Sequence, residues 1–320
     1  MAFTADAERE PLLEDFVSTA DKISTAIQSV IEGKDEIIRL VLTVLLAQGH
    51  LLIEDVPGVG KTMLAKALGR SIDCSVSRIQ FTPDLLPSDI TGVGAYVPET
   101  REFEFKPGPV FANLVLGDEI NRAPSKTQSA LLECMEERQV TVDGQTYELE
   151  QPFMVIATQN PVDMEGTYRL PEAQRDRFMA RLFIGYPAVS AELQMLDLHA
   201  TSSPLDRLVP VADAADLRAL SHAVRGVHVS ESVRGYVVDL ATATRTHSDL
   251  RLGASPRAAL QLVRACRAYA ALGGRDYVTP DDVQALAGPA LAHRLLPEAE
   301  AARVVADLVD QIPLPKAAVR

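Results

Sequence analysis

The sequence predicts an α/β core built on a largely parallel sheet, followed by an all-helical C-terminal domain. Three observations carry this expectation. A short apolar run at 51–53 feeds a glycine-rich loop and then a helical pattern, short apolar runs recur between helical patterns as far as Tyr186-Pro187, and the strand signal fades beyond that point. Alternation of buried strands with helices implies a parallel sheet covered on both faces.

The elements follow in order. Leu40 to Ala47 reads as the buried end of a helix, broken by Gln48-Gly49-His50, and Leu51-Leu52-Ile53 is a short buried strand. After the loop, "MLAKALGRS" has apolar residues at helical spacing. Ser77 to Phe81, Leu114 to Leu116 and Phe153 to Ala157 are further strands, Leu182 to Ile184 is the candidate fifth, and Ser125 to Arg138 is a helix. Two segments break this rhythm as β-hairpins. "VTVDGQTYEL" alternates on both sides of Asp143-Gly144, a tight-turn pair. "GAYVPETREFEFKPG" sets Phe103 and Phe105 on one face and Glu102, Glu104 and Lys106 on the other. In the helical part, Ser255 is a predicted N-cap before Pro256, and Thr279 with Asp282 makes a capping-box pattern. The boundaries read as 1–204 for the core, with inserts at about 92–108 and 139–149, and 205–320 for the helical domain.

The chain has 320 residues, the length of about two domains at ~150 residues each. Its 47% hydrophobic content suffices for ordinary cores. Thirty-one basic against 44 acidic residues leave a net charge of -13, which argues against broad nucleic-acid binding while leaving a local basic patch open. Cys74, Cys134 and Cys266 are far apart and the six histidines lack metal-ligand spacing, a pattern of buried thiols in a reducing compartment. The start, "MAFTADAEREPLLEDF", is acidic without an apolar core, so it is not read as a signal peptide, and the uncharged run from Leu40 to Ile53 is 14 residues, too short to span a bilayer. A soluble, cytoplasmic protein with no membrane span is expected.

The chemistry centres on Pro57-Gly58-Val59-Gly60-Lys61-Thr62-Met63. A phosphate-binding loop points backbone N–H groups at phosphate oxygens with a helix N-terminus behind them. Gly58 and Gly60 remove Cβ atoms where the backbone wraps phosphate, Lys61 reaches the β- and γ-phosphates, and the Thr62 hydroxyl binds Mg²⁺. The pattern G-x-x-x-x-G-K-[ST] is incomplete, since Asp55 stands where its first glycine belongs. An acid there is compatible with phosphate only if it points away from the loop. "NLVLGDEINRA" supplies an apolar strand ending in acids: Asp118 to hold Mg²⁺ through water, and Glu119 to orient and deprotonate an attacking water. "FMVIATQNP" ends a further strand at Asn160, an amide at the carboxyl edge where open α/β sheets bind ligands.

"EDVPGVGKT", "DEINRAPSKTQSALLECMEE", "ATQNP", "EGTYRLPEAQRDRF" and "GASPRA" together closely resemble the MoxR family of AAA+ ATPases, over about residues 20 to 310. The family's loop has the form E-D-V-P-G-x-G-K-T, so Asp55 is the family form. The resemblance implies a P-loop NTPase with a five-stranded parallel sheet and an all-α lid, binding ATP and Mg²⁺. Lys61 and Thr62 resemble the Walker A pair, Asp118 and Glu119 the Walker B pair, and Asn160 the sensor 1 residue. Arg177 matches the arginine finger that reaches a neighbour's γ-phosphate, and Arg257 resembles the sensor 2 arginine of the lid. The hairpins match the helix-2 and pre-sensor 1 inserts, which line or approach the pore of such rings; hairpins that merely cover a sheet edge are the alternative. Arg169 and Arg175 depart from the expected pattern, and Arg175 reads as a surface or interface charge rather than a second finger. The resemblance further implies a homo-oligomeric, hexameric ring with chaperone-like action on a partner protein, in many members one with a von Willebrand factor A domain. A nucleic-acid motor and a nucleotide-gated module with little hydrolysis are the competing readings.

Overall fold

The computed structural model describes residues 13–56, 58–159, 168, 170–187, 192 and 204–315. In chain order the first half carries α1 (Leu13–Gln28), α2 (Asp35–Leu46), β1 (Leu51–Glu54), α3 (Lys61–Ser71), β2 (Val76–Gln80) and α4 (Pro87–Thr91). It continues with β3 (Gly92–Val97), β4 (Glu102–Pro107), β5 (Leu114–Asp118), α5 (Ser125–Glu137), β6 (Gln139–Val142), β7 (Gln145–Glu148), β8 (Met154–Gln159), α6 (Glu172–Arg175) and β9 (Ala180–Leu182).

Five of these strands form one parallel sheet in the order β2-β5-β8-β1-β9. The side-chain period of two explains why their sequences are apolar throughout. Leu51 and Ile53 enter the apolar cluster that holds α1, α2 and α3, while Leu52 enters the one that holds α5. Leu114 and Leu116 of β5 divide from Val115 in the same way, as Met154 and Ile156 of β8 do from Val155. Both faces are therefore covered.

The fifth strand lies two residues before the apolar run that announced it. Leu51 of β1 registers with Ala180, and the ladder ends at Ile53 with Leu182. Ile184 is still buried, but its backbone neighbourhood is bonded elsewhere: Lys34 Nζ donates to the carbonyls of Ile184 (2.6 Å) and Tyr186 (3.0 Å), and Gly185 N–H donates to Asp55 Oδ2 (2.6 Å).

Both predicted hairpins are present. In β6–β7 the turn residues Asp143 and Gly144 have φ of 51° and 78°, the left-handed pair that matches strand twist in a two-residue turn. In β3–β4, Tyr96 pairs with Phe103 and Gly94 with Phe105. The two aromatics of β4 have different environments. Phe105 stacks on Tyr147 of the other hairpin with ring centroids 4.0 Å apart and meets Phe111 edge-on, whereas Phe103 is 74% exposed beside Tyr96.

The C-terminal part is helical among its described residues: Pro204–Arg207, Ala214–Gly226, Glu231–Thr246, Pro256–Leu272, Pro280–Leu291 and Glu298–Gln311. Ser255 caps its helix by accepting from Ala258 N–H, and Thr279 with Asp282 forms the capping box, with Arg275 bidentate on the buried Asp282. Helix Pro256–Leu272 packs on α2 and Pro280–Leu291 on β9, within one apolar cluster that runs from core to lid. Arginines close the junction. Arg264 donates to the carbonyl of Ala47 (2.7 Å) and Arg138 to that of Gln48 (3.3 Å), so carbonyls just past the end of α2 are met by cations.

Arg175 is a correction to the sequence reading of it as a surface or interface charge. It is 7% exposed and pairs with Glu298 (2.9 Å), which also holds Arg181 (2.6 Å), itself paired with Glu54 (2.8 Å). Helix α6 turns Arg175 inward against the start of a lid helix, and the burial is tolerated because opposite charges alternate through the cluster. Burial pushes the Glu54 carboxyl up, with Arg181 opposing. His50, also buried, accepts from Val155 N–H and lies 2.9 Å from the Met135 carbonyl; burial lowers its pKa to about 4, so it is a neutral core histidine. The three cysteines are free thiols, and burial pushes each of them up.

Candidate functional site

The glycine-rich loop leaves the C-terminal end of β1 and enters α3. Gly58 and Gly60 have φ of 89° and 93°, a left-handed conformation that glycine takes without strain. Gly60 is the N-cap of α3 and provides no side-chain acceptor, so the first N–H groups of the helix are presented outward with its positive dipole end. Val59 and Met63 pack on the apolar cluster and anchor the loop from below.

Asp55 faces away from this cradle. One carboxylate oxygen accepts from Val56 N–H (2.8 Å), and the other accepts from Gly185 N–H (2.6 Å). An acid at this position therefore ties the loop entrance to the chain leaving β9, a role that glycine cannot fill. Lys61 is half-buried, and its Nζ donates to the Asp55 carbonyl (2.7 Å). Burial lowers its pKa, while the charges of Asp55, Asp118 and Glu119 act the other way.

Asp118 is the last residue of β5 and Glu119 follows it, both acting electrostatically on Lys61 of the loop. Thr158 of β8 orders both: its hydroxyl lies 3.3 Å from Asp118 Oδ1 and accepts from Glu119 N–H at 3.0 Å. Glu119 itself has φ 58° and ψ 50°, a left-handed backbone uncommon outside glycine that turns its side chain off the line of the strand. Cations from the same chain meet both carboxylates. Arg78 Nε donates to Asp118 Oδ2 (2.7 Å) and Arg122 to Glu119 Oε2 (2.9 Å), with Gln80 Nε2 3.4 Å from that same oxygen. None of Thr158, Arg78, Gln80 and Arg122 was singled out from the sequence. The signal for Thr158 and Gln80 was present in their places at strand ends flanking β5.

Pro57 and Asn160 lie outside the described residues, as does Arg169. Arg177 and Arg257 are brought together, but away from the loop. Glu136 of α5 accepts from Arg177 Nε with one oxygen (3.0 Å) and from Arg257 with the other. They line a cleft of about 200 Å³ together with Arg138, Arg264 and Gln48. Gln48 precedes β1 whereas the loop follows it, so the four-residue strand separates the two places by about 13 Å at ~3.3 Å per residue. The site thus has two halves on opposite edges of the sheet: a phosphate cradle with two acids, and an arginine cleft.

Among the described residues no set of three His, Cys, Asp or Glu side chains is grouped to hold a metal alone. The donor set suits Mg²⁺ shared with phosphate oxygens instead, because Mg²⁺ is commonly held by one or two protein oxygens plus substrate phosphates. The Thr62 hydroxyl at the start of α3 and the buried Asp118 fit that requirement. No helix among the described residues is long and apolar enough to cross a membrane.

A glycine loop between β1 and α3, acids at the end of β5 and a helical lid define a P-loop ATPase of the AAA class. Two family models agree: "ATPase family associated with various cellular activities (AAA)" matches residues 50–180, and "AAA lid domain" matches residues 242–312. The chain belongs to the MoxR family of AAA+ ATPases. It is 41% identical over 289 residues to Chaperone MoxR1 of Mycobacterium tuberculosis, covering 88% of this chain and 76% of that one. It is 49% identical over 316 residues to the YeaC protein of Bacillus subtilis, covering 96% and 99% of the two chains. A crystal structure of a candidate ATPase from Cytophaga hutchinsonii superposes with a TM-score of 0.88 at 38% identity, covering 95% and 97%.

Proposed function

We propose that this chain hydrolyses ATP with Mg²⁺ as a closed ring of identical subunits, hexameric as in the family resemblance, and uses that turnover to remodel or mature a partner protein. The observation that carries the reading is the two-edged distribution of the site. Phosphate cradle and acids lie at one end of β1, and Arg177 and Arg257 lie at the other. Head-to-tail contact between copies would set one subunit's arginines against the next one's phosphates, and such contacts repeat until they close. On this reading both arginines act in trans.

Residues 1–204 are then the nucleotide-binding unit and 205–320 the lid. Backbone N–H groups of Gly58 to Met63 and the Lys61 ammonium bind the phosphates, Arg177 of the neighbouring copy acts on the reacting γ-phosphate, and the resemblance gives Asn160 the sensor 1 role. Thr62 and Asp118 would hold Mg²⁺, which would supply charge neutralisation on the phosphate oxygens. Glu119 orients and deprotonates the attacking water. The relative called a chaperone supports protein remodelling as the output, and a von Willebrand factor A domain protein is the partner class that the resemblance implies.

The direct test is the purified chain with ATP: Mg²⁺-dependent release of phosphate, abolished by EDTA, and a single closed assembly by native mass spectrometry. A monomer with undiminished turnover would sink the ring reading.

The exposed aromatic of the first hairpin is the proposed client contact. Phe103→Ala should change stability by less than about 0.5 kcal/mol and leave ATP turnover in place, yet reduce partner capture. Phe105→Ala removes the stack on Tyr147 and should cost about 1–3 kcal/mol. Pull-downs and thermal melts of the single variants check this. Equal partner capture by Phe103→Ala would return the hairpin to a purely structural part.

A further inference from the structure

The cleft at the arginine edge has a charge arrangement that the roles above do not explain. Four arginines line it, Arg138, Arg177, Arg257 and Arg264, against one glutamate, Glu136, in a protein whose net charge is -13. The glutamate is itself exposed and lies between two of these arginines. Its two carboxylate oxygens are divided between the two arginines proposed to act in trans, Oε2 to Arg177 Nε and Oε1 to Arg257 Nη2. One of these arginines belongs to the segment before β9 and the other to the first turn of the lid helix Pro256–Leu272. A second contact holds the same junction: Ser255 Oγ lies 2.8 and 2.9 Å from the Asp176 carboxylate oxygens, and the buried Arg294 is 3.6 Å from Asp176.

We propose that Glu136 is a positioning residue for the trans arginines: its carboxylate holds Arg177 of the core and Arg257 of the lid as one fork aimed at the neighbour's polyphosphate. This inference rests on the ring reading above. Two guanidinium groups at contact distance repel one another, and a carboxylate between them makes the close pair stable. Each guanidinium has five N–H donors and commits one to Glu136, so the rest stay available to an incoming anion. Both arginines remain about one-third exposed (29% and 36% for their side chains), which a ligand from outside the chain requires. Because one partner is on the lid, presentation of the fork depends on the lid lying against the core, and loss of Glu136 uncouples the two.

Removing this carboxylate has opposing effects on binding and rate. The cleft becomes more positive, so attraction for a polyanion does not weaken, while the arginines splay and the geometry at the γ-phosphate is lost. Misplacement by about 1 Å is enough to cost on the order of 10²-fold in rate. We expect Glu136→Ala to lower kcat by about 10- to 10²-fold with KM for ATP unchanged or lower, and Glu136→Asp, which keeps the charge, to recover part of the loss.

Mixing gives the direction. Glu136→Ala should regain activity with Lys61→Ala, whose subunits offer an intact fork to an intact Lys61 site, and should gain nothing with Arg177→Ala, since no fork in that mixture is whole. Lys61→Ala mixed with Arg177→Ala is the control. If the control recovers but Glu136→Ala complements Arg177→Ala, or fails to complement Lys61→Ala, Glu136 acts within its own nucleotide site or on the fold and the proposal is overturned. If the control itself does not recover, with subunit exchange shown by labelled subunits, the trans reading fails and the proposal with it. Should Glu136→Ala melt early, the same mixtures are made with Glu136→Gln, which keeps the shape and removes the charge. A kcat and mixing pattern equal to wild type in Glu136→Gln overturns the proposal as well.

Discussion

Glu119→Gln should bind ATP as well as the wild type and hydrolyse it about 10²–10⁴-fold more slowly, the usual range for loss of a positioned general base. The amide keeps the shape and can still hydrogen-bond, but it cannot accept a proton from water. The structure gives a reason for binding to survive. The Glu119 backbone is fixed by Thr158 through its N–H, independently of the side chain, and the phosphate cradle belongs to β1 and α3. Lys61→Ala should fail differently. Its ammonium lies within the field of Asp55, Asp118 and Glu119, and without it these acids face the phosphates with less compensation. Binding itself should be lost. Equilibrium titration with a fluorescent ATP analogue and a phosphate-release assay separate the two variants. Turnover at the wild-type rate in Glu119→Gln would remove Glu119 from its role and leave Asp118 and bound Mg²⁺ to act alone on the water.

Much of this site was legible because its signals are local. Gly60-Lys61-Thr62 between an apolar run and a helical pattern announces strand, loop and helix within 21 residues, and the observed β1 and α3 span that stretch, from Leu51 to Ser71. Asp143-Gly144, Ser255 and Thr279 are likewise short-range signals for which backbone conformation follows from the residue itself. The apolar periodicity of β1, β5 and β8 was readable because each strand is buried on both faces.

The pairings that finish the site were not readable, because they join residues far apart in sequence. Arg78 meets Asp118 from the neighbouring strand, Asp55 meets Gly185, and Glu136 meets both Arg177 and Arg257. A charged residue looks the same in sequence whether it is solvated or paired in a core, and for that reason Arg175 reads as an outside charge. Periodicity also marks burial rather than pairing. Leu182 to Ile184 is apolar and buried at its ends, yet the ladder stops at Leu182 because Lys34 and Asp55 bond the backbone beyond it. Phe103 and Phe105 share a strand face, and only the second hairpin, arriving with Tyr147, distinguishes them.

Arg177→Ala should lower turnover by about 10³–10⁵-fold with little effect on ATP affinity, as the loss of an arginine finger does. Its place at the N-terminal side of β9, on the edge opposite the phosphate loop, makes action within one subunit difficult. An arginine side chain cannot cover the length of β1. Each active site should therefore need two subunits, which a mixture of two inactive proteins can reveal. In Lys61→Ala mixed with Arg177→Ala, an interface is competent when its site comes from the second protein and its arginine from the first. Random assembly at equal amounts makes about a quarter of interfaces competent in closed rings. Activity should reappear on mixing, in proportion to that fraction if sites fire independently. If sites fire in strict sequence round the ring, recovery falls below a quarter, and the dependence of activity on mixing ratio shows how many neighbours must be intact. No recovery at any ratio, with exchange demonstrated, together with full turnover by a monomeric fraction, would place Arg177 in its own subunit's chemistry. The opposite edges of the sheet would then have to approach one another by a movement far larger than rotation of the Arg177 side chain.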